Sequence, residues 1–540
     1  MTRRFLFLSL ATALLVGGCK PRDAATPAAG AAGATAGSRV LHLGNGTEPQ
    51  DLDPQIVTGV PENKIVNALF EGLVAYGPSG QGTIPAAAAS WSISEDGLVY
   101  TFNLQPNGRW SNGDPVTAAD FVGSYRRILN PKLASEYASK LYPVVGAREF
   151  HEGKLQDFSK TGFKALDART LQITLKRPTS FLIESLKHYA WFPVHLPTVE
   201  KFGGLERKGT AWTKPGNLVG NGPYLLTEWA MQQRVIVDQS PTYWDRAALR
   251  TDRIIFYPTE NIETEERMFR TGQLHKTNEL PLDKTDVYRR EQPESLRIDP
   301  LLGIYFFRIN LTRPPLNDKR IRRALALAIN REVIVEKVTR QNQQPAYNAC
   351  PPMESFKSPV RLTGDLAEAR RLLAEAGYPE GKGLRPIELL YNTSQNHKKI
   401  AEALQQMWRQ NLGINVSLVN QEWKVYLDSQ DTLSYDLSRA GWIADYVDPN
   451  TFFDLWRTGD GNNDTGFSNA EYDRLLEEAL GTSDQAARRA LYARMDAILM
   501  DELPIIPLYF YTRTYAANPR LQAPPNLVET PNYKFIYLRD

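Results

Sequence analysis

Ile387-Glu388-Leu389-Leu390-Tyr391-Asn392-Thr393-Ser394 runs into Gln395-Asn396-His397-Lys398-Lys399-Ile400, and the reading of this stretch decides the fold. Residues 387–392 read as a strand and Thr393-Ser394 as the approach to a helix on which Ile400, Leu404, Met407 and Leu412 recur at helical spacing. Gly413 stops that helix, and Ile414-Asn415-Val416-Ser417-Leu418 alternates as a second strand. Strand, helix and strand in succession imply a parallel pair joined by a right-handed crossover. Ligands collect at the carboxyl ends of strands in such sheets, so residues 392–397 form a candidate rim. His397 is either a solvated residue of the first helical turn or, with free backbone N–H groups, part of an anion site.

Downstream, Tyr435-Asp436-Leu437-Ser438-Arg439 reads as a strand entering Ala440-Gly441-Trp442-Ile443-Ala444-Asp445-Tyr446. A cation, a large ring and a carboxylate gather there, and the Ala-Gly pair allows close approach to the backbone. Composition leaves two readings open: a surface loop with an Arg439–Asp445 ion pair over a packed Trp442, or a binding site. Upstream, Asn317 and Asp318 open a helix with Ile321, Leu325, Ala328, Ile329 and Val333 on one face, and Asp365 opens another that Gly377 and Pro379 end. The first half reads as α+β: Val40–Gly44, Val99–Leu104 and Leu171–Leu175 alternate as strands, and Thr117 with Asp120 caps a helix through Ile128.

The 540 residues suffice for three or four ordinary domains or one body of interlocked lobes. With 42% hydrophobic and 23% charged residues the composition is that of a globular protein, which excludes fibrous, wholly disordered and multi-span membrane classes. Arg3 and Arg4 are the only charged residues in 1–18, and beyond them the charges balance at 61 against 61. No global basic field exists to hold nucleic acid.

Arg3 and Arg4 precede the twelve-residue apolar run Phe5–Val16, too short to span about 30 Å of hydrocarbon. Residues 1–18 read as a secretory signal. Leu15-Val16-Gly17-Gly18-Cys19 resembles a lipobox, which makes Cys19 the expected lipidation site, and the Ala- and Gly-rich residues 19–38 a flexible linker. Cys350 is then a lone cysteine, read as a small buried or loop residue. No nucleophile elbow, zinc-protease helix, P-loop or dinucleotide fingerprint appears, and the six histidines show no metal-ligand spacing. No catalysis, cofactor or metal is expected.

These segments together resemble the peptide-binding branch of the solute-binding proteins that feed ABC importers, over nearly the whole body from about Gly46 to Asp540. The motifs are Trp91, Asp96-Gly97, Tyr100-Thr101-Phe102, the block Trp110-Ser111-Asn112-Gly113-Asp114-Pro115-Val116-Thr117-Ala118-Ala119-Asp120-Phe121, and Pro315-Leu316-Asn317-Asp318 through Leu325. Leu389–Ser394 with His397, Asn420-Gln421-Glu422-Trp423-Lys424 and Arg439–Trp442 with Ala444-Asp445-Tyr446 match its oligopeptide-binding members.

The resemblance implies an α/β, periplasmic-binding-protein-like fold with two hinged lobes plus an extra α+β lobe. Lobe I comprises 39–70 with 197–297 and 497–540, lobe II 71–196 and lobe III 298–496. It implies that Asp445 takes a peptide α-ammonium and that Arg439 and His397 take C-terminal carboxylates. Val60, Tyr137, Asn392, Gly441, Trp442 and Ile443 are further peptide contacts on the same ground. Thr58 stands where the family pattern has an acid, Gln430 where it has an Arg, and Ile443 replaces a Cys, so side-chain preference does not carry over. The implied partners are short peptides and an inner-membrane ABC permease, with the monomer held by lipid on Cys19 at the periplasmic face of the cell envelope. The rival expectations are a dipeptide, nickel or haem receptor of the same fold, and a secreted peptidase or hydrolase. Jaws closing on Asp445 without an ammonium partner would bury an unpaired carboxylate, so closure is expected to need ligand.

Overall fold

The computed structural model describes residues 39–540; the expected signal, Cys19 and the linker lie outside the described residues. The decisive stretch folds as read. Strand Ile387–Asn392, helix Gln395–Leu412 and strand Val416–Gln421 follow in order, with the strands parallel from Ile387↔Val416 to Asn392↔Gln421. The Ser394 hydroxyl caps the helix by accepting from the His397 N–H, and Gly413 ends it at φ 69°, left-handed backbone that glycine adopts without strain. Thr117 and Asp120 exchange side-chain and backbone hydrogen bonds at the start of helix Ala118–Ile128.

Val333 departs from its expected place. Helix Lys319–Leu327 ends early, and the Asn330 side chain accepts from the Val333 N–H to start a fresh turn, Arg331–Val333. An Asn that offers the backbone an alternative partner resets the helix, leaving Val333 38% exposed instead of on the buried face of Ile321 and Leu325. Cys350 is buried, and burial raises its thiol pKa well above the ordinary value. Among the described residues no helix is long and apolar enough to cross a membrane, and no cluster of three or more His, Cys, Asp or Glu could hold a metal ion.

Three main sheets organise the α/β body. One orders Val40–Gly44, Arg253–Tyr257, Arg234–Gln239 and Tyr224–Ala230. A second, wholly antiparallel, orders Ala88–Ile93, Val99–Leu104, Thr170–Thr174 and Phe163–Ala165. The third has six strands: Gln344–Pro345, Ile505–Ala516, Leu296–Ile309, Leu437–Ile443, Ile387–Asn392 and Val416–Gln421. Its two longest members, Leu296–Ile309 and Ile505–Ala516, pair antiparallel from Leu296↔Ala516 to Arg308↔Ile505, with irregularities between Pro300 and Ile304 and between Tyr305 and Phe306. Bridges Leu43↔Lys276 and Lys276↔Ala517 tie their outer end to the first sheet.

A fully buried ion pair joins the segment before helix Val60–Leu69 to helix Ala118–Ile128. Arg127 donates to both Asp53 carboxylate oxygens at 2.6 and 3.1 Å, to Gln55 Oε1 at 2.8 Å and to the Leu205 carbonyl at 3.0 Å.

The third sheet is split. Leu437–Ile443 pairs with Leu296–Ile309 along its whole length but with Ile387–Asn392 only at Leu437 and Ser438. At the split the Arg439 carbonyl accepts from the Tyr426 hydroxyl and from Gln430 Nε2 instead of from a strand. From Ala440 to Ile443 that edge carries no described strand.

Candidate functional site

A cavity of about 350 Å³ lies against this open edge. Val60, Tyr137, Asn392, His397, Arg439, Gly441, Trp442, Ile443 and Asp445 all line it, as do Thr58 and Gln430. The structure thus brings every binding residue expected from the sequence into one place, from four separate chain segments. Val60 is the first residue of helix Val60–Leu69, which Gly59 precedes in extended backbone with no side-chain cap. Gly441 is required sterically: a Cβ there would run into the Tyr511 hydroxyl.

Arg439 lies within strand Leu437–Ile443 rather than in a surface loop, and it does not pair with Asp445. Its guanidinium donates to the Tyr511 hydroxyl at 2.7 Å and to Asn392 Oδ1 at 3.4 Å, and stacks over Tyr305 at 4.7 Å from the ring centroid. Its Nε is buried with no protein partner, and among the described residues no carboxylate lies within ion-pairing distance. A buried cation satisfied only by neutral oxygens and a ring is ready for an anion. His397 stands beside it, Nδ1 3.4 Å from the Tyr305 hydroxyl, and burial followed by the Arg439 charge depresses its pKa well below the usual imidazole value. At neutral pH it is uncharged.

At the other end Asp445 is buried and its carboxylate is satisfied within the chain. Oδ2 pairs with Lys140 Nζ at 2.5 Å and accepts from the Thr451 hydroxyl at 3.4 Å; Oδ1 lies 3.4 Å from His188 Nε2. His188 Nδ1 accepts from the Ala190 N–H, which places the imidazole proton on Nε2, facing Asp445. The expectation that closure would strand this carboxylate is therefore corrected: Lys140 supplies the countercharge. Sequence reasoning missed Lys140, although it lies only three residues beyond Tyr137, and it also missed the aromatic partners Tyr305 and Tyr511.

Gln430, where the family pattern has an Arg, is buried and bonded through Nε2 to the Tyr426 hydroxyl and Ser438 Oγ, each at 2.8 Å. It serves the wall of the cavity, not an ion pair.

Several carboxyls are buried without adequate compensation. Burial lifts Glu136, on the cavity wall, and Glu265 to about 8 and Glu62 to about 7, against an ordinary value of 4.5. Folded pKa values above the unfolded ones mean that the folded chain binds more protons, so this stability is complete below about pH 4.5 and is lost as pH rises through 8. Together the three groups contribute on the order of several kcal/mol. The buried histidines, whose pKa values are lowered, act with the opposite sign, so the carboxyl contribution is read by substitution. Glu265→Gln should raise the unfolding midpoint more at pH 8.5 than at pH 5, and an equal effect at both would contradict it.

Residues 82–464 match the family described as bacterial extracellular solute-binding proteins, family 5 middle. The chain is 37% identical over 533 residues to the periplasmic oligopeptide-binding protein OppA of Escherichia coli K12, covering 96% of this chain and 95% of that one. It superposes on Haemophilus influenzae OppA in complex with the peptide RPPGFSPFR with a TM-score of 0.89 at 32% identity, covering 93% and 99% of the two chains. Against the Escherichia coli murein tripeptide-binding protein MppA the TM-score is 0.88 at 34% identity, covering 93% of this chain and 99% of that one. Against the unliganded open form of MppA it falls to 0.62 at the same identity, covering 93% and 98%. The described residues accordingly resemble the peptide-bound relative more than the unliganded open one, and the protein has the periplasmic-binding-protein-like fold of these relatives. By sequence and by fold, the chain belongs to the family 5 extracellular solute-binding proteins.

Proposed function

We propose that this protein is an extracytoplasmic receptor that captures short peptides in a closing cleft and delivers them to an ABC permease, without catalysis of its own. The observation that carries the reading is the pairing of an open strand edge at Ala440–Ile443 with a buried Arg439 guanidinium that, among the described residues, has no carboxylate within ion-pairing distance. An extended peptide presents repeating N–H and C=O groups, which such an edge pairs without regard to sequence, and it ends in a carboxylate. In this reading the carboxylate rests on Arg439 and His397, the main chain lies along Gly441–Ile443 and against Val60, and the amino-terminal end lies toward Asp445 and Tyr137. Lobe I (39–70, 197–297, 497–540) and lobe II (71–196) form one jaw and lobe III (298–496) the other. The receptor acts as a monomer on the periplasmic face of the envelope, held by lipid on Cys19.

One experiment tests ligand and anchor together. Protein purified from its own membranes and sprayed natively should carry a ladder of short peptides, and its denatured mass should show acyl chains on the peptide beginning at Cys19. Added peptide at a hundredfold excess over Kd should stabilise the protein by about 2.7 kcal/mol. A chain that carries no peptide and gains no stability from peptide mixtures would defeat the reading; a mature mass without acyl chains would defeat the anchor alone.

A further inference from the structure

Lys140 stands behind the cavity wall, in the short helical turn Ala138–Leu141, and its side chain is 4% exposed. Its ammonium lies 2.5 Å from Asp445 Oδ2 and 3.1 Å from Asp454 Oδ2. Three rings surround it, with centroids at 5.7 Å for Tyr137, 5.7 Å for Trp442 and 5.4 Å for Tyr446. Carboxylates and ring faces are what a protein builds to hold an ammonium group, and here a side chain of the same chain fills that box. Burial works against the charged lysine, but Asp445 and Asp454 outweigh it and hold its pKa above the ordinary value. Lys140 is therefore a permanent cation.

The consequence falls on the cavity side of Asp445. An incoming α-ammonium meets a carboxylate that already has a countercharge behind it, shared with Asp454, and His188 Nε2 stands 3.4 Å from its other oxygen. The ammonium gains attraction to Asp445 while suffering repulsion from Lys140. We infer that Lys140 is a specificity-determining residue that releases this receptor from dependence on a free amino terminus, so that peptides with acylated amino ends are ligands alongside free ones. The inference rests on the peptide reading above and deepens it, by naming the class of peptide.

The test compares trialanine with N-acetyltrialanine on the wild-type protein and on Lys140→Met, by calorimetry. The quantity read is the ratio of the two dissociation constants, which a general loss of stability does not move. In the wild type, acetylation should change Kd by less than about fivefold; in Lys140→Met, where Asp445 loses its countercharge, it should cost about 30-fold or more, the span of a buried charge pair broken on one side. Lys140→Gln, which keeps a hydrogen-bond donor but no charge, should behave as Lys140→Met and serves if the latter does not fold. A wild-type ratio above about fivefold, or a ratio that rises less than about sixfold on removing the lysine charge, overturns the inference. If neither peptide binds the wild type at millimolar concentration, the peptide reading itself falls, which is a separate and recognisable result.

Discussion

Arg439→Met should leave the protein as stable as the wild type or more so, while weakening peptide binding by about 2 to 5 kcal/mol. Both halves follow from one observation. The guanidinium is buried with an unpartnered Nε, donates only to Tyr511 and Asn392, and has no carboxylate within ion-pairing distance among the described residues. The folded chain thus buries this cation without an ion pair of its own, and an apolar side chain of similar length removes the desolvation cost. A ligand carboxylate is the missing anion, so the same substitution removes a charge-assisted contact at the moment of binding. Amidating the peptide's carboxyl end should cost a similar amount, and the two losses should not add, because each deletes the same contact. Calorimetry on the four combinations decides the point. Full additivity would remove Arg439 from the carboxylate site, and a destabilised variant would mean that Tyr305 and Tyr511 satisfy the cation better than their distances suggest.

Asp53→Ala should destabilise the fold by about 3 to 5 kcal/mol, because it leaves Arg127 buried without a countercharge. Both side chains are at most 1% exposed, and Asp53 holds the guanidinium through two oxygens while Gln55 and the Leu205 carbonyl take other donors. The double change Asp53→Leu with Arg127→Met should cost far less than the single one, since it removes the charge along with its partner. Denaturant midpoints at constant m-value measure both. A loss below about 1 kcal/mol for Asp53→Ala would place the pair among ordinary surface bridges. Asp53 precedes helix Val60–Leu69 and Arg127 lies on helix Ala118–Ile128, so the pair joins two parts of the chain that the proposed reading places in one jaw.

What the sequence made legible were features written over short distances. The strand–helix–strand unit at 387–421 carries its own period and its own stops, and Thr117 with Asp120 spells a cap within four residues. Residues 392–397 and 439–445 were legible locally as a strand-end rim and a polar cluster, but their meeting with Val60 and Tyr137 was legible only through the family motifs, since nothing local says that Val60 and Asp445 share a cavity. Lys140 escaped because its meaning lies in Asp445 and Asp454, some 300 residues downstream, and no periodicity records an ion pair across that gap. Arg439 reads in the sequence as a strand end, whereas the strand continues through Gly441 to Ile443; the close approach expected at the Ala-Gly pair is made by the Tyr511 hydroxyl. Val333 was misplaced because apolar spacing continued past Asn330 while the backbone did not.

The open edge at Ala440–Ile443 bears on more than affinity. An unpaired strand edge is ordinarily an invitation to aggregate, since any other edge can zip onto it. Here it is sunk inside a cavity that a second sheet cannot enter, so the only backbone able to reach it belongs to a chain with no tertiary structure of its own. In the proposed reading the recess therefore works as a sieve for foldedness: folded chains are excluded at its mouth by shape, while short unstructured peptides pass before any side chain is read.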